Sequence, residues 1–344
     1  MSEQGVREMD ALRLAFERVC DGVVVVDGNG IVVAANPAAR SILGVGPDDL
    51  VGRPAAEALA TWFDPADEYL SPAESPVAVA LGDRHVEWRV VSPEDGVGCL
   101  IVMHDATALK RVQRSKDEFV SFVSHELRIP MTSIKGYTDL LLTGAVGPVN
   151  EAQTQFLHTV RTNVNRLASQ IEAIVDSSRI ESGSLYIERV PISLRNAIES
   201  AVNALEKQIA EKQQVLDVEL SPTPMVLADQ KRLVQVIAAL LDNAHKYTPE
   251  GGHIVVRTGL TDDGSRVQIS VSDDGIGIAP NDQARIFEKF FRSEDQEVRN
   301  VPGFGLALYI ARGLLAALGG HIWFESTLRE GTTFHFTLVC AETG

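Results

Sequence analysis

The sequence is poor in cysteine. Among its 344 residues only Cys20, Cys99 and Cys340 are cysteines, and they lie far apart, without a Cys-x-x-Cys pair or a zinc-type spacing to histidine. Cysteines spaced in this way indicate neither a disulfide framework nor a structural metal site. We therefore expect a protein of a reducing compartment.

Basic charge and long apolar runs are also scarce. The chain has 31 basic and 47 acidic residues, a net charge of −16, and no basic stripe offsets it. Nucleic acid and anionic membranes are therefore poor candidates as partners. No window holds the ~20 consecutive apolar residues that a spanning helix requires, and the N-terminus lacks the pattern of a signal peptide. We expect a cytoplasmic protein with no transmembrane segment.

The length exceeds what one compact core needs, because domains usually run about 100–200 residues. Apolar residues make up 45% of the chain and charged residues 23%, which excludes a wholly disordered or fibrous protein. The pattern of predicted helices and strands changes twice along the chain. It predicts three domains, at residues 1–104, 105–185 and 186–344.

Short strands alternate with short helices in the first hundred residues. Two β-branched runs, 22–27 and 30–34, meet at a Gly-Asn-Gly turn that predicts a hairpin. Asn36 and Pro37 predict the N-cap and first residue of a helix that ends near Gly44. The order resembles a PAS sensor domain, an α+β fold; any other small α+β domain is the alternative.

The ligand of such a sensor stays unknown from the sequence. A flavin adduct needs a family-specific cysteine motif, and neither Cys20 nor Cys99 lies in one. Haem needs an axial ligand, but His85 and His104 fall at predicted strand ends, where we expect them to face solvent.

Residues 105–185 read as two long helices. No glycine or proline occurs from Asp105 until Pro130, and one face of the first helix is marked by Phe119, Val123, Leu127, Met131 and Ile134. The second helix repeats apolar residues at 3-4-3-4-3 spacing: Leu157, Val160, Val164, Leu167, Ile171 and Ile174. One hairpin cannot bury both seams, so we expect a homodimer with a four-helix bundle. The alternative is a hairpin packed on another domain of the same chain.

The first helix also has a polar stripe opposite its apolar face. This stripe consists of Glu118, Ser121, His125, Arg128 and Thr132. This spacing predicts that His125 faces solvent, with Glu126 beside it. An exposed imidazole is a usable nucleophile when one nitrogen is unprotonated and a carboxylate orients or deprotonates the other.

The remainder of the chain mixes helices and strands. Helices are expected at 194–212, 229–246, 282–290 and 304–318. Strands are expected at 214–220, 253–259, 266–273, 320–325 and 332–339. Residues 293–302 are polar and without apolar periodicity, which predicts a mobile loop.

Two groups of residues in this segment suit a nucleotide. Asn243, Lys246 and Tyr247 fall within one helical turn. An amide oxygen suits a Mg²⁺ ion that also holds phosphate oxygens, and an ammonium suits phosphate charge.

Glycines and one acid form the second group. Asp273 ends a strand and is able to accept a hydrogen bond from an adenine amino group, while Gly275 and Gly277 allow close backbone approach. Gly303 and Gly305 precede a helix, whose free N–H groups and dipole favour phosphate.

In this order, the segments resemble those of the sensor histidine kinases of two-component signalling. Residues 119–130 look like the phosphoacceptor box, 240–249 like the N box, 273–277 and 303–308 like the two glycine boxes, and 286–292 like the F box. The resemblance implies a dimeric phosphotransfer bundle followed by an α/β-sandwich ATP-binding domain of the GHKL type.

The resemblance also implies roles for single residues. ATP and Mg²⁺ would phosphorylate His125 with Glu126 as base, and the phosphoryl group would pass to an aspartate of a separate response regulator. Asn243 would hold Mg²⁺ and Asp273 the adenine. Lys246 and Arg292 would hold the phosphates, under a lid formed by residues 293–302.

Four positions depart from the family pattern. Ile129 replaces the Thr or Asn that positions water for dephosphorylation of the regulator, which argues against phosphatase activity. Phe304 and Ala307 replace a Thr and a Gly, so we expect weaker or slower use of ATP. Ala239 replaces the glutamate of hydrolytic GHKL relatives. Two alternatives stay open: a non-catalytic dimeric ATP-binding scaffold and a GHKL-type ATPase.

Overall fold

Helices and strands are mixed along the chain. A computed structural model describes residues 3–60, 77–81, 83–92, 98–301 and 303–341. The helices are α1 Glu3–Arg18, α2 Pro37–Leu43, α3 Ala55–Leu59, α4 Thr107–Leu142, α5 Glu151–Glu181, α6 Leu194–Glu211, α7 Gln230–Tyr247, α8 Pro280–Gln283, α9 Gln296–Asn300 and α10 Ala307–Ala317. The strands are β1 Gly22–Val26, β2 Val32–Ala35, β3 Val77–Leu81, β4 Arg84–Val91, β5 Cys99–Asp105, β6 Val190–Ile192, β7 Val215–Leu220, β8 Val226–Ala228, β9 His253–Leu260, β10 Arg266–Asp273, β11 His321–Thr327 and β12 Gly331–Val339.

The chain forms two units, Met1–Lys116 and Asp117–Gly344. Among the described residues, no helix is both long and apolar enough to cross a membrane. The division into three domains at 104 and 185 stays a prediction.

The first unit is built on an antiparallel sheet of order β2-β1-β5-β4-β3. One face of the sheet packs with α2 and α3 around a core that includes Val24, Ile42, Leu59, Trp88, Ile101 and Met103. The predicted hairpin and short helix are confirmed, whereas α1 and β3 were not predicted.

Asn36 is the N-cap of α2, as predicted. Its Oδ1 accepts hydrogen bonds from the Ala39 N–H (2.8 Å) and from the Val23 N–H (2.9 Å). Its Nδ2 donates to the Asp21 carbonyl (2.9 Å). The fully buried amide therefore ties the start of α2 to β1 as well as capping the helix.

Both histidines considered as haem ligands are exposed, as expected. The Nδ1 atom of His104 lies 2.7 Å from Asp21 Oδ1, and this hydrogen bond raises the pKa of His104.

The two long predicted helices are confirmed as α4 and α5. Helix α4 spans 36 residues and continues through Pro130. Helix α5 begins with a capping box in which Asn150 and Gln153 each accept a hydrogen bond from the other's backbone N–H, both at 2.9 Å.

A single chain leaves much of the helical seam uncovered. Met131 and Val164 are buried. Phe119, Leu127 and Leu167 are 67%, 45% and 50% exposed. The apolar face predicted for the two helices is therefore only partly covered within one chain.

An α/β sandwich makes up the larger part of the second unit. The sheet has the order β11-β12-β10-β9-β7, with β7 and β9 parallel and the other pairs antiparallel. Helices α6, α7 and α10 pack on one face of it around a common core. Helix α7 contributes apolar residues at i, i+3 and i+4 spacing: Leu233, Val236, Ile237, Leu240, Leu241 and Ala244. The predicted sandwich is confirmed, and the short pair β6–β8 is an addition to it.

The helix predicted at 282–290 is wrong beyond its first residues. Helix α8 ends at Gln283, and turns follow up to Phe290, whose φ of 63° is incompatible with a right-handed helix. Phe287 instead packs edge-on against Phe324 and Phe334 of the sheet. Phe290, by contrast, is exposed, so the apolar residues of this segment do not form one buried helical stripe.

The segment 293–302, predicted as a loop, contains α9. The Asp295 side chain caps this short helix by accepting a hydrogen bond from the Glu297 N–H at 2.8 Å. Pro302 lies outside the described residues.

Polar contacts join α5 to the sandwich. The Asp176 carboxylate, which is mostly buried, accepts hydrogen bonds from Arg232 Nη1 (3.0 and 3.1 Å) and from Gln235 Nε2 (2.7 Å). Glu181 pairs with Lys289 at 2.5 Å. These bonds attach the last turns of α5 to α7 and to the segment that follows α8.

Candidate functional site

His125 lies on an open surface of α4. Its side chain is 68% exposed, and its Nδ1 atom lies 3.5 Å from Glu126 Oε1. The whole predicted polar stripe around it is exposed. The predicted placement of His125 in solvent beside a carboxylate is therefore confirmed. Glu126 lies next to Nδ1, so Nε2 is the ring nitrogen farther from the carboxylate.

Asn243, Lys246 and Tyr247 form the C-terminal end of α7 and are half-buried. The Asn243 amide makes no side-chain hydrogen bond within the described part of the chain. The Lys246 ammonium pairs with the Asp242 carboxylate one turn earlier. Burial raises the pKa of the Tyr247 hydroxyl.

Asp273 stands where β10 ends. Its Oδ1 accepts a hydrogen bond from the Gly275 N–H at 3.0 Å. Burial raises the pKa of its carboxyl to about 6, although the hydrogen bonds from the Gly275 and Thr332 backbones act in the opposite direction. This is the environment of a carboxyl group held in a partly dry cleft.

The loop after Asp273 meets the end of α7. The Ile276 N–H donates to the Tyr247 carbonyl at 3.1 Å. A Cβ atom at Gly275 would lie 2.5 Å from the same carbonyl oxygen, so only glycine allows this approach. The fold thus brings together two predicted groups that lie far apart in sequence.

At two further positions, a positive φ and a nearby carbonyl oxygen allow only glycine. Gly277 has φ +66°, and a Cβ there would lie 2.0 Å from the Thr327 carbonyl oxygen. Gly305 has φ +68°, and its Cβ would lie 2.4 Å from the Phe291 carbonyl oxygen. Gly303 has open space around it and no such requirement.

Arg292 binds the backbone of the predicted lid in this structure. Its guanidinium donates to the carbonyls of Val298 (2.7 Å) and Gly303 (3.1 Å). Its contact with phosphate stays a prediction.

A buried hydroxyl adjoins the site. Thr248 follows α7 directly, is 1% exposed, and its Oγ1 has no hydrogen-bond partner among the described residues. A buried polar atom without a partner suits a bound water or ligand.

The structure shows where the four residues that depart from the family pattern lie. Ile129 is exposed on α4, one turn after His125. Phe304 is exposed before α10, and Ala307 is the first residue of that helix. Ala239 lies in the middle of α7.

Sequence reasoning missed Lys212 and Gln214, whose side chains bind the end of α7. A lysine followed by glutamines at a helix end is typical of solvated surface, so the sequence carried no signal for them.

Three family models match successive parts of the chain. The PAS fold matches residues 16–111, and the His Kinase A (phospho-acceptor) domain matches residues 115–183. The histidine kinase-, DNA gyrase B- and HSP90-like ATPase domain matches residues 228–342. The chain belongs to the sensor histidine kinases.

Named relatives agree with this family. The sensor histidine kinase WalK of Bacillus subtilis (strain 168) is 28% identical over 97% of the chain and 56% of its own length. The circadian input-output histidine kinase CikA of Synechococcus elongatus is 36% identical over 67% of the chain and 31% of its own length. The chain therefore spans about half or less of these two relatives.

A solved structure supports the same architecture. Full-length ShkA in complex with AMPPNP superposes with a TM-score of 0.55 at 28% sequence identity, over 66% of this chain and 47% of that one. Together with the three family models, this structure confirms the PAS, phosphoacceptor and GHKL-type folds expected from the sequence.

Proposed function

We propose that the chain is an ATP-dependent protein histidine kinase that autophosphorylates His125. The observation that carries this proposal is the open position of His125 beside Glu126, on a helix within the phosphoacceptor match. The same chain holds an ATPase-type domain in which Asp273 and the glycine loop meet the end of α7.

The chemistry follows from the histidine and its neighbour. A neutral imidazole nitrogen of His125 attacks the γ-phosphorus of ATP, the bond from that phosphorus to the β,γ-bridging oxygen breaks, and ADP leaves. Glu126 accepts the proton that the other ring nitrogen loses. The product is phosphohistidine, which is labile in acid.

The nucleotide groups fit ATP and Mg²⁺. The Asn243 amide, without a side-chain partner in the described chain, would hold Mg²⁺, and the bound ion would neutralise phosphate charge. Asp273 would accept from adenine, and the backbone around Gly275, Gly277, Gly303 and Gly305 would approach the nucleotide. Tyr247 would border the base, while Lys246 and Arg292 would reach the phosphates once freed from their present partners.

A homodimer and a response regulator complete the proposal. The exposed apolar residues of α4 and α5 support the dimer, because pairing two hairpins would cover them. The phosphohistidine would pass its phosphoryl group to an aspartate of a separate response regulator. Ile129 offers no polar atom to orient water, so we expect no acceleration of the regulator's dephosphorylation.

Incubation with γ-labelled ATP separates this proposal from its two rivals. Acid-labile label on the protein indicates a histidine kinase, and steady release of free phosphate indicates a GHKL-type ATPase. Binding of ATP with neither product indicates a signalling scaffold and would overturn the proposal.

Two variants locate the chemistry. His125→Ala should abolish the label and leave ATP binding intact, whereas His158→Ala, at an exposed histidine of α5, should keep it. Asn243→Ala should abolish the label by removing the Mg²⁺ ligand, whereas Asn203→Ala on the exposed face of α6 should not. Acid-labile label on the His125→Ala protein would refute the assignment.

A further inference from the structure

Most of the last carbonyl groups of α7 accept hydrogen bonds from groups elsewhere in the fold. A helix end leaves four carbonyls without intrahelical partners. The Ala244 carbonyl accepts from the Thr248 N–H at 3.0 Å, and the Tyr247 carbonyl accepts from the Ile276 N–H at 3.1 Å. The carbonyls of His245 and Lys246 accept from side chains that follow α6.

Lys212 supplies one of these side chains. Its Nζ donates to the carbonyls of His245 (2.8 Å), Lys246 (3.2 Å) and Thr248 (2.6 Å). Its positive charge thus lies at the negative end of the α7 dipole, a favourable position.

Gln214 supplies the other. Its side chain is buried, and its Nε2 donates to the carbonyls of His245 (3.1 Å), Thr248 (2.8 Å) and Pro249 (3.2 Å). Its Oε1 lies 2.7 Å from His245 Nδ1. Because the amide oxygen only accepts, His245 carries its proton on Nδ1.

The backbone between Lys212 and Gln214 is unusual. Gln213 has φ +53°, a left-handed conformation that few non-glycine residues adopt. Such a conformation persists only where the surrounding structure enforces it. Here the left-handed residue lies between Lys212 and Gln214, whose side chains both bind the end of α7.

We infer that Lys212, Gln214 and His245, here called the clasp, position the nucleotide site. Helix α7 carries Asn243, the proposed Mg²⁺ ligand, and the loop after β10 carries Asp273, the proposed adenine ligand. The clasp holds the carbonyls on both sides of Tyr247, and the Tyr247 carbonyl itself accepts from the Ile276 N–H of that loop, so the clasp supports the backbone that contacts the loop. Lys212 and Gln214 are therefore positioning residues for ATP, an inference that rests on the proposed function.

The test compares ATP use by full-length variants. In Lys212→Met and in Gln214→Met, the KM for ATP should rise about tenfold, as expected for lost hydrogen bonds that hold a binding group. The labelling rate of His125 at saturating ATP should stay within about twofold, because His125 lies on α4. Lys212→Arg should restore most of the affinity, since it keeps the charge and the donors.

Arg266→Met is the matched control. Arg266 Nη1 donates to the Gly319 carbonyl at 2.8 Å, just beyond the C-terminal end of α10, so this variant also removes a side-chain bond to backbone following a helix. It should lower the melting temperature and leave the KM for ATP unchanged. An equal rise of KM in the control would show general destabilisation and overturn the inference.

The remaining outcomes are also decisive. Wild-type KM values in both methionine variants would overturn the clasp and leave the kinase proposal standing. A wild-type protein that neither binds nor uses ATP would overturn both. If the methionine variants do not fold, hydrogen exchange of the wild type replaces them: MgATP should slow exchange in 245–249 and 274–277 together, and protection of only one segment would refute the clasp.

Discussion

The carboxyl group of Asp273 combines burial with a role as acceptor. Burial is the main cause of its raised pKa of about 6, and the nearby charge of Asp274 acts in the same direction. Because the folded pKa lies above the usual value of 3.8, this group favours the folded state below that value. The contribution is lost as the pH rises through about 6.

Nucleotide affinity should therefore depend on pH. An adenine amino group donates to the ionised carboxylate, so the affinity for MgATP should fall as the pH drops below about 6, approaching about tenfold per pH unit. Calorimetric titration at several pH values measures this. Asp273→Asn is the control, because ATP itself also titrates: the same pH profile in that variant would contradict the role of Asp273.

The glycines of the site differ in how much stability their replacement by alanine should cost. Gly277→Ala should destabilise the protein by roughly 1–3 kcal/mol, because its φ is positive and the new Cβ would meet the Thr327 carbonyl oxygen. Gly303→Ala, in open space, should change stability by no more than about 0.5 kcal/mol. Denaturant unfolding of both variants measures the difference, and equal losses would contradict this reading of the two backbones.

Single residues show how far the sequence predicts the site. His125, Asp273 and Gly275 were predicted because short local patterns place them at a helix face or a strand end. Lys212 and Gln214 were not, since their partners lie more than thirty residues away and only tertiary packing brings them to α7. Lysines are mostly exposed, so no sequence rule predicts that the half-buried Lys212 binds backbone carbonyls.

At the scale of elements, long amphipathic patterns were the most predictable. Helices α4 to α7 follow from apolar periodicity, which is a local property. The three-residue strands β6 and β8 are too short to show such a pattern. The predicted helix 282–290 is wrong because Phe287 packs on the sheet, Phe290 is exposed and the positive φ of Phe290 is incompatible with a helix.

The link between α5 and α7 allows a stability test. Arg232→Met leaves the Asp176 carboxylate mostly buried without its cation, and this should cost about 3–5 kcal/mol. The double variant Asp176→Leu/Arg232→Met removes both charges and should recover most of the loss. Denaturant unfolding measures both proteins; a double variant no more stable than the single one would contradict a charge-burial origin.

At the scale of the whole molecule, α4 is the element that both units share. Its start is fixed in the first unit, because the Asp105 carboxylate accepts from the Thr107 N–H and the Thr107 hydroxyl accepts from the His85 N–H, both at 2.9 Å. The helix then runs without interruption to His125. We expect a continuous helix of this kind to transmit a rotation or a change of register from the first unit to His125.

Removal of residues 1–104 should therefore change the rate of autophosphorylation without abolishing it. Coupling between sites usually amounts to fivefold or more, so we expect a change of about that size in the initial labelling rate. Thr107→Val, which removes the hydroxyl that accepts from His85 and keeps the full chain, should shift the rate in the same direction by a smaller factor. Ser115→Ala, at an exposed position of α4 outside the phosphoacceptor box, controls for altered helix surface and should leave the rate unchanged. Identical rates for the truncated, Thr107→Val and full-length proteins would show that the first unit does not act on His125 through α4.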